Sequence, residues 1–429
     1  MILFDLRQVG LNGLREVFDR RLSRSSDDAE GVVREILADV RVNGDSALLD
    51  YTRRFDCPSA TALRVPESAI QSAVERIQVT PLQPALELAA ARIRSFHEKQ
   101  RRVSWMDAGT PGEILGQRIS PIGRVGVYAP GGTADYPSTV LMAAVPAVVA
   151  GVKSVCLASP PRRDTGLPPD ATLAAARIAG VSEVYAMGGA QAVAAFAYGT
   201  ASVARVDKVV GPGNVYVNLA KRLVFGTCGI DMLAGPSEIA VVADSDADPD
   251  DAAAEILTQC EHDPNSSALI VTTSEPFAVA VQSAVDDQLR TLPRADIVRQ
   301  ALDKNGYVVV VQSLAEAAQV TDLYAPEHLH LLVREPWAIL GSFRNAGAIL
   351  LGRYTSAPLG DYLAGPSHTL PTAGCARFSS PLNVDDFVKK TNILYFDEGT
   401  AAALSPLAAE FARFEGLAAH ERAASRPPG

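Results

Sequence analysis

The residues in this chain that could carry out chemistry are its histidines and the carboxylates near them. The sequence contains only six histidines, and five of them follow residue 260. Imidazole and carboxylate groups bind first-row metals and transfer protons near neutral pH. Their concentration in a few short segments predicts one assembled site, although any one position taken alone would suit a histidine that only satisfies a local hydrogen bond. The five are His262, His328, His330, His368 and His420.

The first of these segments, DADPDDAAAEILTQCEHDP, predicts a helix that carries two metal-binding side chains. Asp248 suits the N-cap of this helix, and Pro264 suits its end. Gln259 and His262 are three residues apart and therefore share a face away from the apolar stripe. An oxygen and a nitrogen donor placed in this way could hold a metal ion. The alternative is a solvated polar face, which the pair alone favours.

The segment VTDLYAPEHLHLLV places a carboxylate next to an imidazole. Pro326 restricts the residue before it and so predicts a turn at Glu327 and His328, just before a strand. Such a pair suits proton transfer, because one group can act while the other orients it. The alternative is a capped turn with two surface residues. His330 alternates with leucines, which predicts a residue on a strand face and not a ligand.

Two further segments offer candidates for the same site. In LGDYLAGPSHTLPT, Gly360 would let the backbone at Asp361 approach a ligand closely, and His368 follows in a turn. The alternative is a tight loop in which Asp361 binds backbone amides. In FARFEGLAAHERA, Glu415 and His420 lie on a predicted terminal helix. Taken alone, these two would be surface residues at a helix end.

Four glycine-containing loops indicate a cleft for a small molecule. They are YAPGGTADYPST, AMGGAQA, VVGPGNVY and MLAGPSE. Three of them follow predicted strands and precede predicted helices, an arrangement that can turn backbone N–H groups toward a phosphate. None contains GxGxxG, because the nearest match, which begins at Gly211, has Tyr216 in the last glycine position. The loops alone therefore specify no cofactor, and sharp turns of a parallel sheet remain the alternative.

Composition and charge exclude several classes of protein. The formal net charge of −10 leaves no basic surplus for tracking phosphates, so no nucleic-acid partner is expected. The most apolar stretch, residues 140–152, is interrupted by Pro146 and is too short to cross a membrane. The first residues mix acids and bases and predict no signal peptide. Five widely spaced cysteines without a CxxC pair indicate reduced thiols. We therefore expect a cytoplasmic protein with no membrane partner.

The elements that must position these residues are short β-branched runs that alternate with helical segments. One set contains VGVY, SVCLAS, EVYAM and DKVV, and a second contains EIAVVAD, SALIVTTS, YVVVVQS, HLHLLV and AILLG. This alternation predicts parallel sheets with crossover helices, hence two α/β lobes that meet near residues 235–238. The first hundred residues are predicted to be helical, residues 112–130 to be a strand pair, and the tail beyond residue 381 to be an Ala-rich helix.

Taken together, these segments resemble the histidinol dehydrogenase family, whose members are NAD-dependent zinc enzymes that complete histidine biosynthesis. The resemblance is specific because its motifs occur in the family order over nearly the whole chain: VGVYAPGG, GGAQA, VVGPGNVYV, DMLAGPSE, QCEH, YAPEHL, GDYLAGPSHTLPT and EGLAAH. It implies oxidation of L-histidinol to L-histidine in two hydride transfers through histidinal. It also implies one Zn²⁺ per subunit, NAD, and a homodimer with shared active sites.

Matched motif by motif, the resemblance assigns a role to each candidate residue. The implied zinc ligands are Gln259, His262, Asp361 and, from the partner subunit of an intertwined dimer, His420. The implied proton-handling pair is His328, for the alcohol, and Glu327, for the water added to the aldehyde. Besides His328 and the zinc ligands, the implied substrate contacts are Ser237, His368 and Glu415. The implied NAD contacts are Tyr128, Gln191 and Asn214.

The resemblance also implies an α/β fold of two incomplete Rossmann-like lobes with parallel-type sheets. Residues 1–24 would be a short helical piece, and residues 25–128 with 237–381 would form the first lobe, which holds the zinc and catalytic residues. Residues 129–236 would form the second lobe, with the NAD contacts, and residues 382–429 a helical tail exchanged in the dimer. Cys260, Ser367 and His330 stand where the family more often has Ala, Asn and an acidic or other polar residue, which leaves only substrate tuning in question.

Three other functions compete with this interpretation. A related zinc and NAD enzyme could act on another small polyol or amino alcohol, which the retained Ser237, His368 and Glu415 disfavour. A zinc hydrolase could use Glu327 to activate a metal-bound water, but the chain has no HExxH pattern and NAD contacts would then have no purpose. A non-catalytic, metal-linked dimer is the third, and the adjacent acid–base pair disfavours it.

Overall fold

The computed structural model describes residues 1–19, 27–131 and 135–426. Two parallel sheets and one antiparallel sheet organise this part of the chain, which confirms the predicted α/β class. The strands are β1 (Ile2–Asp5), β2 (Trp105–Asp107), β3 (Glu113–Pro121), β4 (Arg124–Tyr128), β5 (Ser154–Ser159), β6 (Glu183–Ala186), β7 (Lys208–Val210), β8 (Gly229–Ile230), β9 (Glu238–Ala243), β10 (Ser267–Thr272), β11 (Gly306–Val310), β12 (His328–Leu332), β13 (Ala348–Leu351) and β14 (Val388–Phe396).

Helices follow most of the parallel strands and connect each to the next. They are α1 (Leu6–Asp19), α2 (Asp27–Asn43), α3 (Asp45–Tyr51), α4 (Glu67–Gln78), α5 (Leu82–Glu98), α6 (Pro137–Ala150), α7 (Asp170–Ala179), α8 (Gly189–Tyr198), α9 (Val215–Val224), α10 (Pro249–Cys260), α11 (Glu275–Leu289), α12 (Ala295–Asn305), α13 (Leu314–Tyr324), α14 (Pro336–Ile339), α15 (Ala357–Leu359), α16 (Glu398–Phe414) and α17 (Ala418–Ala424).

The larger sheet has six parallel strands in the order β1-β11-β10-β9-β12-β13. Side chains alternate between the faces of a strand, so the apolar run of β9 supplies two separate cores. Ile239 and Val241 belong to the core beneath α10, α11 and α12, while Ala240 and Val242 belong to the core beneath α1 and α13. Burial on both faces explains why these strands are continuous apolar runs.

The smaller sheet has five parallel strands in the order β6-β5-β4-β7-β8. Helices α4 to α7 cover one face of it, and α2, α3, α8 and α9 cover the other. The assignment of residues 25–128 to the same lobe as 237–381 is therefore wrong for the described residues: α2 to α5 pack over the smaller sheet, and β4 is its central strand. Apolar spacing identifies a helix face, but it does not say which sheet that face will cover.

Gly126, in the middle of β4, allows a close contact between the smaller sheet and α8. A Cβ at Gly126 would lie 2.5 Å from a ring carbon of Phe196, and the Phe196 side chain is fully buried. We expect Gly126→Ala to lower the free energy of unfolding by about 1–3 kcal/mol, because the ring must move within a packed core. Urea denaturation measures this. Gly31→Ala is the matched control, because Gly31 is an exposed residue of α2 with no atom near its Cβ position. This change should leave the free energy of unfolding equal or higher.

Three further segments differ from their predicted structure. The N-terminal piece begins with β1, which pairs with β11 at the edge of the larger sheet, and residue 24 lies outside the described residues. The predicted strand pair does form two strands, but β3 pairs with β2 and β14 whereas β4 enters the parallel sheet. The tail is not entirely helical, because β14 pairs along its nine residues with β3 before α16 begins.

Two expectations about the whole chain can be compared with the structure. Among the helices that the described residues form, none has the length and apolar character to cross a membrane. All five cysteines are free thiols, and four of them are buried. The thiols therefore contribute to the cores and form no disulfide framework.

Candidate active site

The candidate residues lie at facing edges of the two parallel sheets. Ser237 and Glu327 directly precede β9 and β12, so they lie at the amino edge of the larger sheet. Tyr128, Gln191 and Asn214 stand at or after the ends of β4, β6 and β7, at the carboxyl edge of the smaller sheet. Ligands of open α/β sheets are usually bound at the carboxyl edge. The proton-handling and metal-binding candidates therefore lie at the less usual edge.

Helix α10 carries Gln259, the first of the paired candidates, but ends before His262. Asp248 caps it by accepting a hydrogen bond from Asp250 N, and the helix ends at Cys260, before the expected Pro264. Gln259 is only 2% exposed, and its side chain makes no hydrogen bond to any described residue, whereas His262 lies in the exposed turn that follows. The Gln259 amide is therefore available to a metal ion or another ligand.

Glu327 and His328 are both buried at the start of β12. The backbone reaches them through Ala325, which has a positive φ of 50°. Glu327 Oε2 accepts a hydrogen bond from Glu238 N at 3.0 Å and lies 3.9 Å from His328 Nδ1. On the other side, His328 Nε2 lies 3.2 Å from Asp361 Oδ1. The imidazole is thus held between two carboxylates, and its Nδ1 is buried without a hydrogen-bond partner among the described residues.

Burial and the charges of neighbouring side chains both act on the pKa values of Glu327, His328 and Asp361. At each of these residues the two effects oppose each other. Burial raises the pKa of the Glu327 carboxyl to about 8, against the opposing charge of His328. Burial alone would lower the pKa of His328, but the hydrogen bond with Asp361 and the charge of Glu327 outweigh it and raise that pKa to about 9. Burial also opposes ionisation of Asp361, yet His328 and the nearby His368 and His262 lower its pKa overall.

Asp361 and His368 are held together by the loop that follows β13. Residues 360–364 form a single π-helical turn that carries Asp361. His368 Nδ1 lies 2.9 Å from Asp361 O, and His368 Nε2 lies 3.3 Å from Thr139 Oγ1. Thr139 belongs to α6, so this imidazole connects the two lobes. The sequence alone did not identify Thr139 as a candidate. The apolar pattern of this helix does not indicate that one of its hydroxyl groups contacts a residue 229 positions away.

The candidate NAD contacts surround two of the glycine loops. Tyr128 Oη accepts a hydrogen bond from Gly189 N at 3.2 Å. Asp56 Oδ2 accepts bonds from Gly188 N and from Gln191 Nε2, and burial raises the pKa of this carboxyl to about 6. Asp56 also had no distinguishing signal in the sequence. These N–H groups already have protein partners, so they are not free to hold a phosphate.

Asn214 closes the second of these loops by capping α9. Its Oδ1 accepts hydrogen bonds from Tyr216 N and Val217 N, each at 3.1 Å. The expectation that this loop presents free helical N–H groups to an anion is therefore wrong for these two. The Nδ2 amide of Asn214 makes no hydrogen bond to a described residue, and the side chain is exposed. Asn214 can therefore offer its amide to a ligand.

Glu415 and His420 do not join the other candidates within one chain. Both are exposed, and neither side chain forms a hydrogen bond or ion pair with any described residue. Helix α16 packs against α17 and β14. Arg413 of α16 forms an ion pair with Glu421 of α17. In the described ranges, no three His, Cys, Asp or Glu side chains come together as a potential metal-binding group. A single chain thus supplies Gln259, His262 and Asp361, and the set lacks a fourth donor.

The three residues that depart from the family pattern all lie in protein contacts. Cys260 is fully buried in the core beneath α10, and burial raises the pKa of its thiol to about 12. Ser367 donates a hydrogen bond to Met142 O at 3.3 Å. His330 Nε2 lies 3.0 Å from Gly352 O, and its Nδ1 lies 3.3 Å from Glu255 Oε2, so it is a buried strand residue as predicted.

Chemically, the arrangement combines an acid–base pair with side chains that can bind a metal ion. A buried imidazole between two carboxylates can take up and release a proton on a bound polar molecule. An amide oxygen, an imidazole and a carboxylate are donors that Zn²⁺ accepts in catalytic sites, although amide ligands are uncommon. The residues present therefore fit a divalent metal in part.

The chain resembles known proteins over nearly its whole length. A sequence model described as histidinol dehydrogenase matches residues 19–426. Histidinol dehydrogenase of Geobacillus kaustophilus is 49% identical over 404 residues, which cover 94% of this chain and 95% of that protein. The protein of that name from Moorella thermoacetica is 51% identical over 399 residues, which cover 92% and 94%. The crystal structure of histidinol dehydrogenase from Elizabethkingia anophelis superposes with a TM-score of 0.89 at 34% identity, covering 96% of this chain and 95% of that one.

Proposed function

The chain belongs to the histidinol dehydrogenase family and is an oxidoreductase of histidine biosynthesis, and from this premise we propose its reaction. It oxidises L-histidinol to L-histidine with NAD, in two hydride transfers through histidinal, at a site that holds one Zn²⁺ per subunit. The observation that carries the proposal is the buried His328, 3.2 Å from Asp361 and 3.9 Å from Glu327, with His262 close enough to contribute to lowering the pKa of Asp361. The groups for proton transfer and the groups for metal binding would thereby belong to one site.

The first oxidation removes a proton from the hydroxyl and a hydride from the carbon that bears it. His328 takes the hydroxyl proton, and Asp361 and Glu327 on either side stabilise the imidazolium that forms. NAD supplies the hydride acceptor, with Tyr128, Gln191 and Asn214 as its contacts. Zn²⁺ would be held by Gln259, His262, Asp361 and a partner's tail, and would orient the amine and imidazole of the substrate. Ser237, His368 and Glu415 complete the substrate contacts.

The second oxidation needs water at the aldehyde carbon. Glu327 is the group that takes a proton from this water, because its carboxylate is buried and burial raises its pKa and therefore its basicity. The hydrate of histidinal then loses a proton and a hydride in the same way as the alcohol did. Histidinal must stay bound between the two steps, which a closed site between two subunits would achieve.

The tail supports the proposal of a homodimer with shared sites. Large apolar side chains are exposed on β2, β14 and α16, among them Trp105, Leu394, Phe411 and Phe414, which is 92% exposed. Exposed apolar side chains concentrated on neighbouring elements indicate an interface with another protein. His420 lies on α17 next to this surface, and its side chain has no partner among the described residues of its own chain. We therefore place His420 and Glu415 of each tail in the site of the other subunit.

The stoichiometry of NADH tests the proposed reaction. With L-histidinol as the limiting substrate and excess NAD, the protein should release two NADH for each histidinol consumed, with histidine as the product. One NADH per histidinol, with histidinal accumulating, would contradict the two-step reaction. Faster NADH formation with another amino alcohol in the same assay would assign a different substrate.

Glu327→Gln should slow the second oxidation more than the first. The amide keeps the size of the side chain and an oxygen that can accept from Glu238 N, but it cannot take a proton from water. Single-turnover experiments that start from histidinol and from histidinal measure the two steps separately. Equal slowing of both steps would contradict this division of roles between Glu327 and His328.

Removal of the metal should abolish turnover reversibly. A chelator would withdraw the ion from Gln259, His262 and Asp361 and leave the substrate without its orienting contact. We expect activity to fall as the zinc content falls, and to return when Zn²⁺ is added back. Full turnover in a protein shown to be free of metal would exclude the zinc proposal, whereas NAD binding should survive chelation.

A further inference from the structure

A fully buried ion pair holds the VVGPGNVY loop, and the chemistry above does not use it. Lys221 Nζ, on α9, lies 2.5 Å from Asp231 Oδ1, directly after β8, and both side chains are fully buried. Lys221 Nζ also donates a hydrogen bond to Gly211 O at 2.9 Å. Asp231 Oδ2 accepts one from Gly211 N at 2.7 Å. The two charged side chains therefore bind both the N–H and the C=O of a single glycine, Gly211.

The backbone at Gly211 has little freedom. Its φ is +113°, a conformation that side-chain-bearing residues rarely adopt, and a Cβ there would lie 2.1 Å from Tyr128 O. The loop thus runs directly against the end of β4, where Tyr128 is a proposed NAD contact. Lys221 and Asp231 hold Gly211 from one side while β4 limits it on the other.

The remainder of the loop is held by Asn218, also on α9. Its Nδ2 donates hydrogen bonds to Gly213 O at 2.8 Å and to Asn214 O at 3.2 Å. Its Oδ1 accepts a bond from Ala234 N at 3.0 Å, in the segment that leads to Ser237. Hydrogen bonds to the carbonyls of Gly213 and Asn214 thus link the position of the Gly211 peptides to Asn214, which is another proposed NAD contact.

Stability alone gives a weak reason for burying this pair. Moving two charges out of water costs free energy that their attraction often does not recover, and apolar side chains of similar size frequently serve as well or better. What an apolar pair cannot do is bind the N–H and C=O of Gly211. We propose that Lys221 and Asp231 are positioning residues of the NAD site, which hold the 211–214 loop in the conformation that binds NAD. This inference rests on the proposed function, because it requires NAD at that loop.

The test compares NAD binding with folding in full-length variants. Lys221→Met together with Asp231→Leu replaces the ion pair with apolar side chains, and this variant should still fold, with a Tm lowered by the loss of the two hydrogen bonds to Gly211. We expect the Kd for NAD, measured by calorimetry, to rise at least about tenfold, since displacement of a positioned group by about 1 Å has effects up to about 100-fold. The KM for L-histidinol should change little. Hydrogen exchange of the 208–216 segment should become faster.

Two single changes make the comparison specific. Asp231→Asn keeps an oxygen that can accept from Gly211 N, so it should weaken NAD binding less than the double change does. Arg222→Met removes an exposed ion pair with Glu30 from the next position of α9, and it should leave the Kd for NAD unchanged.

The outcomes separate this inference from the proposed function. If the double variant folds and binds NAD as the wild type does, the positioning role is overturned. The same conclusion follows if the Kd for NAD changes only in proportion to the loss of Tm across the variants, because that is the behaviour of a purely structural pair. If the wild type itself fails to bind NAD, the proposed function fails and takes this inference with it.

Discussion

His328→Asn is expected to lower turnover of L-histidinol by about 100- to 10,000-fold, the range over which a positioned acid–base group accelerates a reaction. The imidazole is buried, lies 3.2 Å from Asp361 Oδ1, and has its Nδ1 3.9 Å from Glu327 Oε2. Asn is similar in size and can keep a hydrogen bond to Asp361, but it cannot accept a proton near neutral pH. Initial rates of NADH formation at saturating histidinol and NAD measure the effect.

His330→Gln is the matched control for this change. His330 lies two residues further along the same strand, is also buried, and bonds with Gly352 O and approaches Glu255. Gln retains a donor for Gly352 O, and the site itself is untouched, so most of the turnover should remain. Comparable turnover in His328→Asn and the wild type would remove His328 from the mechanism. A large loss in His330→Gln would show that packing at β12, and not proton transfer, determines the rate.

His420→Asn should reduce activity at least about 100-fold, because even the groups that orient metal ligands are worth 10- to 100-fold. The larger effect concerns mixtures. When His420→Asn and His328→Asn chains are mixed and allowed to exchange subunits, half of the dimers should contain one chain of each kind. Each such dimer has one site with an intact lobe and an intact tail, so about a quarter of wild-type activity should return.

Mixing His328→Asn with Asp361→Asn provides the negative control. Both changes lie in the lobe, so every site contains one of them and no activity should return. In both mixtures each chain carries one inactivating substitution. The mixtures differ only in that one of the two substitutions lies in the tail in the first mixture, whereas both lie in the lobe in the second. If neither mixture recovers activity although subunits are shown to exchange, the tail does not complete the site of its partner. If His420→Asn alone remains active, His420 is not a required ligand.

Much of the local structure could be predicted because its causes are local. Nine of the eleven strands of the two parallel sheets were identified from β-branched runs, all except β1 and β8, and α10 begins at the predicted cap, Asp248. Pro326 correctly indicated that Glu327 and His328 lie at the start of a strand. Each of these signals comes from residues a few positions apart, whose backbone preferences and side-chain spacing act whatever the rest of the chain does.

The sequence by itself therefore determined the α/β class, the order of most strands and helices along the chain, and the residue types available for chemistry. Only the tertiary structure decided which sheet α2 to α5 would cover, that residues 388–396 would pair with β3, and that Thr139 and Asp56 would meet His368 and Gln191. These contacts join residues that are far apart in the chain, and their free energy comes from burial and hydrogen bonds that no local pattern encodes. For the same reason, the sequence alone could not show that His420 is exposed and that no described residue of its own chain binds its side chain.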